Sequence, residues 1–409
     1  MKKVYLIILS LLICTSSLFC KEWDIYDGAD KDTLKKIAEC DKCISQGQFL
    51  TAWSKVGGCE NEYIIYKYVE LCTQYYAKSI MHTSFGFVNL KKGQTLHDVR
   101  ISDEEFTLPY TSPSPEDIIN LYKEKNGDSL VLQLALANYY YDGIRRYKDL
   151  WFITPEEVIP IALKTYETAL KKKVYDEIVL ENLAQIYTGK NDFASAEGIY
   201  EKLTAKFPKN GTYWYNYTVC LMQCQKYEKA IGSAQQAVDN PEATVEFHYD
   251  AYMILSDAYC WSNNGKDADR VLREAIKKYP DQPGAYIHLA ELCFFFPANY
   301  TKEQLNGFLD SAVKLSCTDN TIYSCINLLY TNKMMKEAID FCERNIKTVK
   351  DNNGKGLLYY YLSQFYFMEE RNREKTSKAL DEAKKYFKKS ENYMMETKCD
   401  SIRKDMLGE

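Results

Sequence analysis

Apolar residues recur every three or four positions along most of this 409-residue chain, and small side chains stand at regular places among them. The segment 177–210 shows this pattern most clearly. It predicts two amphipathic helices folded against each other, followed by a proline. Ala184 and Ala196 are the small residues expected where the helices cross, and Tyr187 is an aromatic residue placed between them. Similar segments return at offsets of about 34–38 residues, which predicts a stack of helix pairs.

The segments 211–244 and 249–282 repeat the columns of 177–210. The matching residues are Trp214, Tyr217, Leu221, Ala230, Ala237 and Pro241 in the first, and Tyr252, Leu255, Ser256, Tyr259, Ala268, Leu272, Ala275 and Pro280 in the second. Together these columns resemble the tetratricopeptide repeat. The resemblance implies an all-α fold, a right-handed superhelical solenoid of about six to seven antiparallel helix pairs. Because one pair cannot bury its apolar face alone, neighbouring pairs complete the core.

The rest of the chain departs from this regular pattern. Residues 22–113 predict a degenerate helical region, whose part 84–113 contains Gly and Pro, has no helical period and is expected to form an irregular loop. Residues 114–174 predict a helix pair with an inserted loop, and 177–389 hold the tetratricopeptide-like repeats. Residues 391–409 predict a C-terminal capping helix and tail, since terminal repeats need a polar outer face.

Residues 1–20 have the pattern of an export signal peptide. Two lysines precede an apolar run from Val4 to Ile13, which is shorter than a membrane-spanning helix of about 20 residues. The residues before Cys20 resemble a bacterial lipobox, except that Phe19 is bulky where that motif has a small residue. Simple cleavage and a lipid anchor at Cys20 both stay open. The mature chain is expected in the periplasm or outside the cell, with membrane contact only through such an anchor.

The composition argues against several classes of function. The chain has 52 Lys and Arg against 57 Asp and Glu, a net charge of −5, so a nucleic-acid partner is not expected. Motifs for nucleotide binding, serine hydrolases, zinc proteases and EF-hands are missing from the sequence. The four histidines show no ligand spacing, so neither a metal nor a cofactor is expected; they are His82, His97, His248 and His288. The sequence therefore favours binding over catalysis.

Twelve of the 14 cysteines follow Cys20. Most of them lie in helical patterns, where cysteine behaves as a small apolar residue. The group that could carry chemistry is Cys40, Cys43, Cys59 and Cys72. A zinc site usually has two closely spaced pairs, and a redox Cys-x-x-Cys lies in a strand–helix unit that is not predicted here. Packing or a structural disulfide is the favoured interpretation, and metal or redox chemistry is the remaining one.

The family resemblance also predicts a binding surface. In such solenoids the first helix of each pair lines a concave groove, and residues one place after the packing columns face it. The predicted partner-binding residues are Glu181, Gln185, Tyr215, Asp257, Trp261, Glu291, Tyr323, Asn327, Tyr360 and Gln364. One turn further along, the aromatic residues Phe294, Tyr330 and Phe367 join Trp261. This surface is aromatic, polar and acidic without Lys or Arg, so the carboxylate clamp of some family members is not implied. It suits a protein or peptide partner.

Three functions are compatible with these patterns. The first is a non-catalytic protein–protein interaction scaffold in the bacterial envelope. The second is an accessory binding component of a solute transporter or envelope-assembly complex, with a cleft for a small molecule or lipid. Residues 75–88 resemble the helical end of transporter-associated tetratricopeptide lipoproteins, which supports this second interpretation. The third is an enzyme that uses the cluster from Cys40 to Cys72.

Overall fold

The computed structural model describes residues 24–102, 111, 113–240 and 245–408. Within these residues the chain forms twenty α-helices and one two-stranded sheet, so the predicted all-α helical-repeat fold is confirmed. The predicted export signal, 1–20, lies outside them. The chain divides into two compact units, the first ending at Leu203 and the second beginning at Thr204. The sequence pattern does not predict this division, which falls inside a helix.

Unit 1 starts irregularly and becomes regular towards its end. Its helices are α1 (Lys31–Ser45), α2 (Phe49–Val56), α3 (Glu62–Gln74), α4 (Leu96–Ile101), α5 (Pro115–Asn126), α6 (Leu130–Tyr147), α7 (Pro155–Lys172) and α8 (Glu177–Gly189), and α9 (Phe193–Lys206) contains the division. Strands β1 (Lys78–Ile80) and β2 (Ser84–Gly86) pair antiparallel, and a 3₁₀ turn (Lys148–Leu150) follows α6. Helix α6 packs against α7 and also against α8. This stacking of alternate helices is typical of a helical repeat.

Residues 75–102 are more ordered than the sequence predicts. Helix α3 ends at Gln74, and β1 follows. Inside the expected irregular loop 84–113, β2 and α4 are regular elements, so the prediction is wrong for those residues. A capping box formed by Thr95 and Asp98 begins α4.

A single arginine explains why α3 ends where it does. Arg100, at the end of α4, donates from Nε to the carbonyl of Tyr76 and from Nη2 to the carbonyl of Gln74, each at 3.0 Å. These bonds satisfy carbonyl groups that the end of a helix leaves open. The guanidinium also lies 4.4 Å from the centre of the Tyr76 ring. The link joins residues more than 20 positions apart, so no local sequence pattern predicts it.

Unit 1 also contains a buried ion pair on α3. The Lys67 side chain is 6% exposed, and its Nζ lies 2.6 Å from Glu70 Oε2 and 2.9 Å from Asp41 Oδ1. Burial lowers the pKa of Lys67, but the nearby carboxylates of Glu70 and Asp41 and the hydroxyl of Tyr26 outweigh it, so the pKa is raised. Burial raises the pKa of Glu70, and Lys67 opposes that shift. The two charges are therefore dependent on each other.

Unit 2 is a regular series of helix pairs. Its helices are α10 (Gly211–Gln223), α11 (Tyr227–Asp239), α12 (Val245–Trp261), α13 (Gly265–Lys278), α14 (Gly284–Phe295), α15 (Lys302–Leu315), α16 (Asp319–Thr331), α17 (Met335–Thr348), α18 (Asn352–Met368), α19 (Arg373–Lys389) and α20 (Tyr393–Leu407). A 3₁₀ turn (Pro297–Asn299) precedes α15. The first helices of the pairs, α10, α12, α14, α16 and α18, contact one another in that order. Their outward surface therefore continues from one repeat to the next.

The small residues predicted at the helix crossings are buried. Ala184, Thr218, Ser256, Ala290 and Ser363 are each at most 1% exposed. Ala and Ser leave little side chain between two backbones, which lets neighbouring helices approach closely. Because these positions are filled, larger side chains there would overpack the core.

Several cysteines are buried as packing residues. The thiols of Cys40, Cys72, Cys325, Cys342 and Cys399 are unpaired and at most 2% exposed. These buried positions agree with the packing prediction, and the structure pairs none of these five thiols in a disulfide. Burial raises the pKa of Cys40, Cys325 and Cys399 to about 12.

Among the described residues, the helices are too short or too polar to cross a bilayer.

Candidate functional site

The first helices α12, α14 and α16 of unit 2 carry a continuous set of exposed or half-buried side chains. We call this set the first-helix face. Its members are Asp257, Trp261, His288, Glu291, Phe295, Tyr323, Asn327 and Tyr330. Each helix contributes two or more of them, at positions that repeat along the chain because the helices stack in register.

Large apolar side chains stand exposed at the ends of successive first helices. Trp261 is 56% exposed, Phe295 52%, Tyr330 51% and Met368 43%. They are separated by 34, 35 and 38 residues, which is the repeat length. Exposed apolar groups that form a row mark interaction surfaces more often than isolated ones do.

Two aromatic members of this row, Trp261 and Phe295, contact each other. The ring of Trp261 stacks on Tyr227 with centroids 6.0 Å apart and meets Phe295 edge-on at 5.9 Å. The sequence predicted Phe294 and Phe367 as the exposed aromatics, but both are partly buried. The exposed residue is the next one along each helix, so this part of the prediction is wrong by one position.

A cavity of about 430 Å³ lies beside the aromatic row. Residues of α14 and α16 line it, among them His288, Glu291, Tyr323 and Asn327. Tyr323 is 52% exposed. The structure thus brings together three predicted site residues, Glu291, Tyr323 and Asn327, with one histidine that was not predicted.

His288 joins two carboxylates on neighbouring first helices. Its Nδ1 lies 3.2 Å from Asp257 Oδ1 on α12 and 3.5 Å from Glu291 Oε2 on α14. Burial lowers the pKa of His288, but the hydrogen bond to Asp257 and the charges of Asp257, Glu291 and Asp250 outweigh it, so the pKa is raised. Burial raises the pKa of Glu291, while His288 opposes that shift. The local charge is acidic, and it favours a cation.

His288 could have been found from the sequence. His288 and Glu291 are three residues apart on one helix, so they share a face. Asp257 stands 34 residues before Glu291, in the equivalent column of the previous repeat. The spacing of each histidine from its near neighbours in the chain does not reveal Asp257, because this carboxylate lies one repeat away.

The other predicted site residues lie in different surroundings. In unit 1, Gln185 Nε2 donates to Glu181 Oε1 at 2.8 Å, and both side chains are half-buried on α8. In unit 2, the ring of Tyr215 meets Phe247 edge-on at 6.0 Å. The contacts that the structure records for these three residues join them to neighbours in their own unit.

Tyr360 and Gln364 do not form an open surface. Tyr360 is only 4% exposed, because α20 covers it and places Lys398 Nζ 5.6 Å from its ring centre. The amide nitrogen of Gln364 is buried and lacks a hydrogen-bond partner among the described residues. The expectation that Tyr360 faces a groove is therefore wrong, and Gln364 offers at most part of its side chain.

The cysteine cluster near α1 and α3 does not have the environment of a reactive site. Burial raises the pKa of Cys40 and Cys59 to about 12 and that of Cys72 well above its ordinary value. A catalytic thiol needs a lowered pKa, since the thiolate is the nucleophile. These three cysteines are therefore suited to packing.

Two further cavities have charged linings. One of about 880 Å³ in unit 2 includes Lys314, Arg344 and Lys347, and one of about 420 Å³ in unit 1 includes Lys123 and Asp128. A site for a small apolar ligand is usually lined mainly by apolar side chains. The larger cavity is also lined by Val313, Leu315 and Val349, and the smaller one by Leu136, Val158 and Ile161, so both linings mix charged and apolar side chains.

Residues 181–244 match the sequence model of the tetratricopeptide repeat family. This segment contains tetratricopeptide repeats. The matched segment covers most of the helices α8 to α11, where the repeat pattern of the sequence is clearest. No curated protein matches the chain.

Several solved tetratricopeptide repeat structures are similar to the chain. YrrB, described as having an unusual peptide-binding site, is 15% identical with a TM-score of 0.39, over 53% of this chain and 97% of YrrB. A tetratricopeptide repeat protein from Parabacteroides merdae is 15% identical with a TM-score of 0.39, over 64% and 99%. MamA from Desulfovibrio magneticus is 17% identical with a TM-score of 0.35, over 45% and 93%. At this level of similarity these structures add no argument about function.

Tetratricopeptide repeats as a class provide extended surfaces that bind protein or peptide partners. The first-helix face of unit 2 runs across three stacked repeats and carries both apolar and polar groups.

Proposed function

We propose that this chain is a non-catalytic interaction scaffold that holds a segment of a partner protein against the first-helix face of unit 2. The observation that carries the proposal is the row of exposed apolar side chains from Trp261 to Met368, one at the end of each first helix. Full burial of a large apolar side chain contributes about 1.5–3 kcal/mol, and since each of these is already about half buried, covering the rest contributes on the order of 1 kcal/mol.

The chemistry of the face suits an extended or helical peptide segment. Trp261, Phe295 and Tyr330 provide anchors of the type that dominates binding energy at protein interfaces. Asn327 and Tyr323 add hydrogen-bonding groups beside them. The repeat spacing of the anchors favours a partner that presents apolar side chains at matching intervals.

The charge of the face favours a basic segment. Glu291 lines the cavity, Asp257 and Glu291 both contact His288, and the charges that raise the pKa of His288 are all carboxylates. A partner with Lys or Arg near its apolar anchors would associate faster at low ionic strength, because opposite charges steer the encounter.

We expect substitutions of aromatic residues on the first-helix face to weaken the binding of peptides selected for this chain. A random peptide library would be selected on the immobilised full chain, and the affinity of individual selected peptides measured for the wild type and the variants. Trp261→Ala combined with Phe295→Ala should weaken binding about tenfold or more, and Tyr323→Ala should weaken it as well, since exposed aromatic anchors carry most of the energy.

Tyr393→Ala is the matched control for Tyr323→Ala. Tyr393 is 64% exposed on α20 of the same unit but lies outside the first-helix face. Its substitution should leave the affinity unchanged. If the selected peptides bind the aromatic variants as tightly as the wild type, the face is not the binding site.

We also propose that the scaffold works in the bacterial envelope. The support is the export pattern of residues 1–20, with cleavage or lipidation at Cys20 as the two routes. Intact mass spectrometry of the chain purified from the producing cell should show either an unmodified chain that begins after residue 20 or a chain that begins at Cys20 and carries acyl chains there. A chain that retains Met1 through Cys20 would contradict export by this signal.

An enzymatic role for the cysteine cluster is not favoured. The raised pKa of Cys40 and Cys59 disfavours the thiolate, and the support for the scaffold comes from a different part of the chain. The transporter-accessory alternative gains no support from residues 75–88, because they contain the hairpin of β1 and β2 where a helical end was expected.

A further inference from the structure

The group Asp257, His288 and Glu291 has a property that peptide binding does not require. In the described part of the chain, this is the one group of three His, Cys, Asp or Glu side chains whose ligand atoms all lie within 4.8 Å of one another. The ligand atoms come from two helices, α12 and α14, whose packing fixes their separation. We propose that these three side chains bind a divalent first-row transition-metal ion of the zinc class.

The distances suit such an ion. In a tetrahedral zinc site with bonds of about 2.0–2.2 Å, neighbouring ligand atoms lie about 3.3–3.6 Å apart. His288 Nδ1 lies 3.2 Å from the Asp257 oxygen and 3.5 Å from the Glu291 oxygen. The ion would take the place of the proton that Nδ1 donates to Asp257. The Asp257 and Glu291 oxygens lie within 4.8 Å of each other, so they would move closer by at most about 1.2 Å to reach the spacing of a tetrahedral site.

The chemistry of the donors suits the same class of ion. One imidazole nitrogen and two carboxylate oxygens are the mixed nitrogen and oxygen set that zinc, cobalt and related divalent ions accept. Asp250 adds a further negative charge near His288. A divalent cation would neutralise this acidic cluster, whereas a singly charged histidine only partly offsets it.

The site has an open side. The Asp257 side chain is 41% exposed, Glu291 38% and His288 25%, and the cavity in front of His288 and Glu291 also contains Tyr323 and Asn327. Three protein ligands with one open position are typical of sites where water or a further ligand completes the coordination. A fourth ligand would enter from the cavity.

The test uses the full, untagged chain and Co²⁺, which takes zinc-type sites and absorbs visible light when it is bound. Titration at constant pH should show one saturable site whose spectrum indicates oxygen and nitrogen ligands, distinct from thiolate coordination by cysteines. His288→Ala and Glu291→Gln should each weaken this binding at least about tenfold, since even loss of an outer-shell partner costs 10–100-fold. Zn²⁺ should displace the Co²⁺ signal.

The control is His97→Ala, which removes an exposed histidine on α4 and should leave the Co²⁺ affinity unchanged. Circular dichroism without metal checks that each variant is folded, and Glu291→Gln keeps the size of the side chain it replaces. Equal Co²⁺ binding by the wild type and both variants, or a wild-type spectrum showing only thiolate coordination, would overturn the proposal.

The inference does not rest on the proposed function, and the two can fail separately. If selected peptides bind but Co²⁺ does not, the metal site alone is wrong. If Co²⁺ binds at the three residues but the aromatic variants bind peptides normally, the peptide-binding face alone is wrong.

Discussion

Replacing Lys67 with Ala should reduce the stability of unit 1 by about 3–5 kcal/mol, because it leaves a buried carboxylate without its partner. The Glu70 side chain is 13% exposed and depends on Lys67, whose Nζ lies 2.6 Å away. Protonation can neutralise Glu70, so the loss should shrink as the pH falls. Amide hydrogen exchange across α3 measures the local free energy of opening and tests this prediction.

Lys36→Ala is the matched control. Lys36 pairs with Glu60 on the surface of the same unit, where the two side chains are 41% and 58% exposed, and such pairs contribute about 0–1 kcal/mol. The double substitution Lys67→Met with Glu70→Leu should recover most of the loss, since apolar residues of similar size often replace a buried pair without cost. A loss for Lys67→Ala no larger than for Lys36→Ala would contradict the importance of the buried pair.

Phe387→Ala should destabilise the C-terminal part of unit 2 by about 3–5 kcal/mol. The Phe387 ring is fully buried between α18 and α19, and it fits against Gly356 so closely that a Cβ on that glycine would lie 2.7 Å from the ring. Removing the ring opens a cavity that helices held on both sides can only partly fill. Hydrogen exchange across α18 and α19 provides the local measurement.

Phe295→Ala removes the same side chain from a 52% exposed position in the same unit. It should change the stability by less than about 1 kcal/mol, since it leaves no enclosed cavity. The complementary change Gly356→Ala should destabilise unit 2 as well, because the added methyl collides with the Phe387 ring. Similar effects for Phe387→Ala and Phe295→Ala would show that the packing around Phe387 is loose.

The repeat architecture was predictable because its determinants are local and periodic. Ala184, Ser256 and Ala290 occupy the small column in the sequence, and all three are at most 1% exposed in the structure. Helices α6 to α19 are fourteen consecutive helices, or seven pairs, in agreement with the six to seven predicted. Because the same spacing returns in each repeat, one poorly matching column does not prevent the assignment.

The region around β1, β2 and α4 was not predictable in the same way. Its strands have three residues each, too few for a period to show. The bonds from Arg100 to Gln74 and Tyr76 and the register of Lys78 with Gly86 are contacts between short segments. Such contacts depend on the folded arrangement rather than on a repeated pattern.

The candidate site was predicted in part. The column rule placed Glu291, Tyr323 and Asn327 together, since it follows from helix stacking alone. It placed Tyr360 wrongly, because the rule assumes an open face and α20 covers that position. The column rule omitted His288, which lies outside the two columns but on the same side of α14 as Glu291.

The buried, unpaired thiols of this chain can report when the helices around them open. Cys40 and Cys72 lie in unit 1, and Cys325, Cys342 and Cys399 lie in unit 2, so an alkylating reagent can reach each one only when the helices around it open. Pulsed alkylation followed by peptide mass spectrometry would therefore time the opening of separate helix pairs in the natural sequence. No engineered label is needed to learn which repeats open first.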